Sequence, residues 1–313
     1  MKILVTGSIA YDTIMVFPDR FRNHLLADQL HILNVCFLTP EMRREFGGTA
    51  GNIGYNLGLL GERALVMATV GEDIDPYLSR FKALGIGTDY LKRIPGQFTA
   101  QGFITTDLDN NQITNFHPGA MNFSHENHIS AKLGAGLAIL GPDGKEGMLQ
   151  HARECAEHRV PFLFDPGQGL PMFSREELAE FVRLADYIAV NDYEGKLLEE
   201  KTGRQLAELA REVKALIFTQ GNKGSTIIAG GQRHEIPCVE AESVADPTGC
   251  GDAYRAGLLY GISHGWDWPS TGKLGSVMGA IKIAHRGGQN HAPKREEIEA
   301  RFKRAFGYSP WKG

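Results

Sequence analysis

No two cysteines in the chain are spaced as C-x-x-C, and only four occur: Cys36, Cys155, Cys238 and Cys250. Their scatter points to reduced thiols in a cytoplasmic protein. Long apolar runs are also missing, and no stretch approaches a membrane span. The opening MKILVTGSIAYD has one Lys and a short apolar run broken by Thr6, Ser8 and Asp12, which makes a poor signal peptide. Charge of one sign is lacking too: 33 basic against 37 acidic residues leave a net −4, with no global pull toward nucleic acid or anionic membrane. Two phosphate-binding fingerprints are absent. There is no GxxxxGK[ST], which excludes a P-loop, and the glycines of GGTAGNIGYNLGLLG (47–61) do not form GxGxxG. A dinucleotide-dependent oxidoreductase is therefore remote.

What is present is an alternation of short apolar runs with longer helical patterns. Strands are expected over 2–8, 63–70, 137–140, 161–165, 187–191 and 215–220. Helices are expected near 49–60, 74–84, 145–158, 174–184 and 192–202, then over 251–264, 270–286 and 295–306. That order implies βαβ units and a mostly parallel sheet covered on both faces. Residues 9–40 and 91–123 break the rhythm and are expected to leave the main sheet as a small strand-built lid. Within the second, FTAQGFITTDLDNNQITNFHP reads as a hairpin around an Asp-Asn-Asn turn. With no composition break or repeat, residues 1–313 are expected to form one domain.

The most specific stretch is ESVADPTGCGDAYRAGLLYGI (242–262). Gly249 and Gly251 are expected to take positive φ and turn N–H groups inward, at the start of a helix that itself favours an anion. An isolated Asp there is usually an N-cap. Beside two glycines, Asp252 also suits a base that takes a proton from a hydroxyl attacking a phosphoryl group, with the amides of 249–252 stabilising the group in transfer. NDYE places Asn191 and Glu194 at i and i+3. This pair suits either water around a phosphate-bound Mg²⁺ or a simple helix cap. TQGNKGS (219–225) is an exposed turn open to a nucleotide, and an ordinary strand–turn–strand explains it equally well.

These motifs, GSIAYD, GGTAGN, NDYE, TQGNKGS and DPTGCGD, resemble in order and spacing those of the ribokinase-like (PfkB) carbohydrate kinases, over essentially the whole chain. The resemblance implies a three-layer α/β/α fold with a mostly parallel sheet and a β-strand lid. It implies Asp252 as the base and Gly249, Cys250 and Gly251 as the anion hole. Asp12, Gly48 and Asn52 then hold sugar hydroxyls, while Asn191, Thr219, Gly221, Gly224 and Thr248 lie along ATP. Glu194 acts on Mg²⁺ through water, and Asp246 is the implied partner of a monovalent cation such as K⁺. Cys250 stands where the family has Ala, and Pro247 where it has Thr. The resemblance leaves a monomer and a homodimer both open.

From Gln97 to Asn127 the chain has no Lys or Arg, which argues against a sugar-phosphate acceptor unless Arg20, Arg22, Arg43 or Arg44 supplies the cations from elsewhere. The same stretch carries Phe103, Gln112, Phe116 and Met121, and aromatic and thioether side chains suit a purine. NQITNFHPGAM resembles adenosine and broad-specificity nucleoside kinases more than ribokinases. The expectation is a nucleoside kinase. The alternatives are a ribose or fructose kinase of the same family and a non-catalytic ligand-binding regulator.

Overall fold

Alternation inside fully buried strands sets the layers. In β1 (Ile3–Thr6), Ile3 and Val5 enter one hydrophobic cluster while Leu4 enters another, because successive strand residues face opposite ways. A computed structural model describes residues 1–25, 31–32, 34–109 and 111–311. After β1 come β2 (Ala10–Val16), β3 (Glu41–Gly47), α1 (Thr49–Leu59), β4 (Leu65–Val70), α2 (Asp75–Ala83), β5 (Tyr90–Arg93), β6 (Ala100–Thr106) and β7 (Gln112–His117). The middle third holds β8 (Leu137–Leu140), α3 (Lys145–Glu157), β9 (Phe162–Phe164), α4 (Arg175–Leu184), β10 (Tyr187–Asn191), α5 (Asp192–Thr202) and the single turn α6 (Leu206–Leu209). The chain ends with β11 (Ala215–Thr219), β12 (Ser225–Ala229), β13 (Gln232–Ile236), α7 (Cys250–Ser263), α8 (Trp268–Lys282) and α9 (Arg295–Phe306).

The main sheet runs β13-β12-β11-β10-β9-β8-β1-β4-β5. It is parallel from β11 to β5 and antiparallel only at the β11-β12-β13 edge. One face packs on Ile53 and Leu57 of α1, Tyr77 and Phe81 of α2, and Leu258 and Leu259 of α7. The other face packs on Met148 of α3, Phe181 of α4 and Leu198 of α5. This is the ribokinase-like three-layer arrangement. Helices α7 and α8 touch almost backbone to backbone, since a Cβ on Gly257 would sit 2.6 Å from the Gly275 nitrogen.

The lid is a four-stranded sheet, β3-β2-β6-β7, with β2 and β6 parallel and both outer pairs antiparallel. Its boundaries differ from those expected. Strand β3 extends the first lid segment to Gly47. Residues 26–30 and 33 of that segment, and residue 110 of the hairpin turn, lie outside the described residues. Tyr90–Arg93 belongs to the main sheet, because it pairs with β4 over Met67–Val70. The second lid segment ends at His117. Beyond it, Gly119–Glu126 coils as 3-10 turns on the body, with the Thr69 hydroxyl donating to the Ala120 carbonyl at 2.7 Å.

Candidate active site

Asn191 and Thr219 lie at the C-terminal ends of β10 and β11, the usual ligand position in such sheets, while Asn52 and Asp252 meet from the first turns of α1 and α7. Pro247 to Cys250 form a turn closed by the Cys250 N–H donating to the Pro247 carbonyl at 3.1 Å. Gly249, third in that turn, has φ 77° and ψ 5°, the type II value that favours glycine. Helix α7 starts at once, without a side-chain cap. The N–H groups of Gly249, Gly251 and Asp252 make no hydrogen bond to another described residue, as expected for an open helix N-terminus. Two expectations need correction. Gly251 is helical rather than positive in φ, and the Cys250 N–H is used to close the turn instead of facing an anion. A Cβ on Gly251 would meet nothing within 4 Å. Burial pushes the Cys250 thiol up to about 11, so it is no thiolate nucleophile.

Asp252, half-buried at the third position of α7, accepts from Asn52 Nδ2 at 2.8 Å. Gln289 Nε2 fixes that amide by donating to Asn52 Oδ1 at 3.1 Å and to the Tyr77 hydroxyl at 2.6 Å. Burial pushes the Asp252 carboxyl up to about 7; Asp165 and Asp12 add to the rise, while Asn52 and Arg255 oppose it. Asn52 therefore touches the Asp252 carboxylate, from one turn inside α1.

Asp12 stands across the crevice on β2. Burial lifts its carboxyl to about 6, reinforced by Asp246 and Glu45. Space around it is kept by missing side chains: a Cβ on Gly47 would lie 2.5 Å from Asp12 Oδ2, and one on Gly102 2.8 Å from Oδ1. Gly48 is fixed by packing, with φ 85° and a Cβ position 2.5 Å from the Ser8 carbonyl. Register places Asp12 beside Gly102 and Gly102 beside Phe116, so all three share one face. With strands about 4.8 Å apart, Asp12 and Phe116 flank a slot roughly 10 Å wide, floored by glycine. Gln112 shares that face but pairs with Thr106, about 13 Å further along the strand. Phe103 is corrected: strand alternation turns it to the opposite face, beside Thr13. Met121 is also corrected, since it lies in the 3-10 turns of the body, not in the lid.

On the far side of Asp252, register sets Asn191 beside Thr219 at the ends of β10 and β11. Asn191 caps α5 and Glu194 answers it. The Glu194 N–H donates to Asn191 Oδ1 at 2.8 Å, and Glu194 Oε1 and Oε2 accept from Asn191 Nδ2 at 2.8 Å and its N–H at 2.9 Å. The capping geometry weighed from the sequence is thus present. A cavity of 290 Å³ opens here, lined by Gly167, Gln168, Pro171, Asn191, Tyr193, Glu194 and Leu197. A shallower depression of 350 Å³ beside Ser79, Lys82 and Asp89 lies away from all these loops. Gly221 has φ 56° with open space at its Cβ position, whereas Gly224 is required by packing, 2.2 Å from the Ile236 carbonyl. Thr248 is exposed, its N–H donating to Asp246 Oδ1 at 2.9 Å.

Two features were missed in the sequence. Arg255, buried on α7, pairs with Asp165 through Nε at 3.2 Å and Nη2 at 3.0 Å, and Nη2 reaches Glu194 Oε2 at 4.0 Å. This arginine links the Asp252 side to the Asn191 side. Its spacing, three residues after Asp252 in DAYR, is the signal that could have found it. The other is Lys282, whose Nζ donates to the Asp246 carbonyl at 2.7 Å. That amine lies against the same loop whose Asp246 was expected to meet a monovalent cation. The Asp246 carboxylate is also engaged, accepting from the N–H groups of Thr248 and Gly287, and these bonds hold its pKa low against burial.

The sequence profile described as pfkB family carbohydrate kinase matches residues 9–295. The chain belongs to this family. It is a phosphotransferase acting on a hydroxyl group. A Burkholderia thailandensis nucleoside kinase in complex with inosine is 56% identical, with a TM-score of 0.91 over 99% of this chain and 100% of that one. The same protein with ADP-inosine gives 0.88 over 99% and 98%, at 57% identity. Its ligand-free form gives 0.83 over 96% and 99%, at 56%. A Methanocaldococcus jannaschii nucleoside kinase is 30% identical over 274 residues, 87% of this chain and 90% of that protein. A Lactococcus lactis ribokinase is 26% identical over 82% of this chain and 85% of its own.

Proposed function

We propose that the chain transfers the γ-phosphate of ATP to the 5′-hydroxyl of a purine nucleoside such as inosine, adenosine or guanosine. The observation that carries this reading is the Asp252 carboxylate, oriented by Asn52, beside the N–H groups of Gly249, Gly251 and Asp252, which have no partner among the described residues. A base with a pKa near 7 takes the hydroxyl proton at neutral pH, and the adjacent amides stabilise charge on the phosphoryl oxygens. Asp12 binds ribose hydroxyls, and Phe116 faces the base across the glycine-floored slot. The inosine complex of the 56% identical relative supports a nucleoside acceptor.

ATP lies along Asn191, Thr219, Gly221 and Thr248, a reading supported by the ADP-inosine complex of the same relative. Magnesium would neutralise phosphate charge there. Among the described residues no three His, Cys, Asp or Glu side chains gather as a metal-binding group, which fits an ion carried by the nucleotide with Glu194 reaching its water. Among the described residues no helix is long and apolar enough to cross a membrane. Exposed Met42, Phe103 and Ile113 on the outer lid face favour a homodimer over a monomer.

The test is a coupled kinase assay over inosine, adenosine, guanosine, ribose and fructose. Saturable turnover of a purine nucleoside is expected. Turnover of ribose or fructose alone would replace the nucleoside by a sugar, in line with the ribokinase relative, and would leave the Asp252 chemistry intact.

A further inference from the structure

Lys282 is the last residue of α8, and its side chain is fully buried. Its Nζ donates to the carbonyls of Asp246 at 2.7 Å and His285 at 2.9 Å. An ammonium group survives in an interior only with oxygen partners and nearby negative charge. Both are present: the C-terminal end of a helix is partly negative, and, while burial pulls the amine below the usual lysine range, Asp246 and Asp252 favour its charged form. The surrounding bonds tie the Asp246 loop to the segment after α8. The N–H groups of Ala245 and Asp246 donate to the Ile283 carbonyl at 2.8 and 3.1 Å, and Gly287 N–H donates to Asp246 Oδ2 at 2.8 Å.

We propose that Lys282 is a tethered cation standing in for a bound monovalent ion beneath the Asp246–Asp252 loop, and that turnover is consequently independent of potassium. The inference rests on the kinase reading above. An ammonium group and a potassium ion are similar in size and both seek carbonyl oxygens, so one excludes the other from this position. A covalently held ammonium also sacrifices no translational freedom on binding. Lys282 touches neither reacting group; it is a positioning residue that fixes the loop whose amides face the phosphoryl group, and it adds positive potential behind them.

Wild-type protein is assayed with inosine in potassium, sodium or tetramethylammonium chloride at one ionic strength, and its unfolding midpoint is measured in the same salts. The expected result is a kcat constant to within about twofold and a Tm that ignores potassium concentration. Saturable stimulation of about tenfold, or a Tm that climbs with potassium, overturns the proposal. Lys282→Ala opens room for an ion. Its kcat is expected to fall about tenfold to a hundredfold and to recover in part with potassium or ammonium, but not with tetramethylammonium. Lys282→Met fills the space without charge and is expected to show the loss without the recovery. A folded Lys282→Ala protein that no cation restores overturns the positioning role. If that variant does not fold, the wild-type salt series decides. Failure of the wild type to phosphorylate any nucleoside speaks against the kinase reading instead, and the Tm series then decides this one.

Discussion

Asp252 is held by a single amide hydrogen bond and raised in pKa mainly by burial, so its charge state changes near neutral pH. A general base must be unprotonated to act. The limb of kcat/KM is therefore expected to fall as pH drops below about 7, with Asp12 contributing below about 6. Asp252→Asn should lower kcat by roughly 10²–10⁴ and abolish that limb; a variant with wild-type turnover would remove Asp252 from the role. Asp143 offers a stability counterpart. It is buried, one oxygen has no hydrogen-bond partner among the described residues, and burial lifts its pKa to about 7. A carboxyl raised on folding stabilises the protein below its unfolded pKa, and that contribution is lost as pH rises toward about 7. Asp143→Asn is expected to raise Tm at pH 8 relative to wild type, by up to about 4 kcal/mol of stability, and to change little near pH 4. Thermal unfolding at both pH values checks this. Asp252 and Asp12 were legible because short motifs carry them. The Arg255–Asp165 pair was not, because its partners are 90 residues apart and meet only through folding.

Helices were the most readable elements. The spans expected near 49–60 and 145–158 run one residue past α1 and α3, and 192–202 coincides with α5, since glycine turns and helix caps mark such boundaries. Strands hidden in polar or short segments were harder. EMRREFG carries charge because one side of β3 is open to solvent, and the four-residue β5 is too short to show alternation. Knowing that a hairpin exists also leaves its facing undetermined, because a shift of one residue inverts every side chain. Phe103 and Phe116 show this, and they give a test. Phe116→Ala is expected to raise KM for inosine several-fold with a smaller change in kcat, as loss of ground-state stacking does. Phe103→Ala should leave KM within about twofold. Equal effects of the two substitutions would contradict the assigned face.

The molecule as a whole superposes more closely on the inosine-bound form of its Burkholderia relative than on the ligand-free form. A lid that closes over ligand would exclude water as a competing acceptor. Small-angle scattering should then show a smaller radius of gyration with inosine and ADP than without ligand, and an unchanged value would argue for a lid that stays shut. The layered body was legible from strand–helix alternation; the lid was legible as an interruption, but its outline required pairings between distant segments.

The lid joins the body through four separate passages of the chain: before β2, after β3, before β6 and after β7. The central strands β2 and β6 come from different excursions and hydrogen-bond each other along seven residues. The sheet is thus stitched down like a patch, not hung like a flap from one seam. A protease that severs one passage frees no piece, because both cut ends remain sewn to neighbouring strands. Nicking there yields two fragments that stay together until the seams themselves are melted.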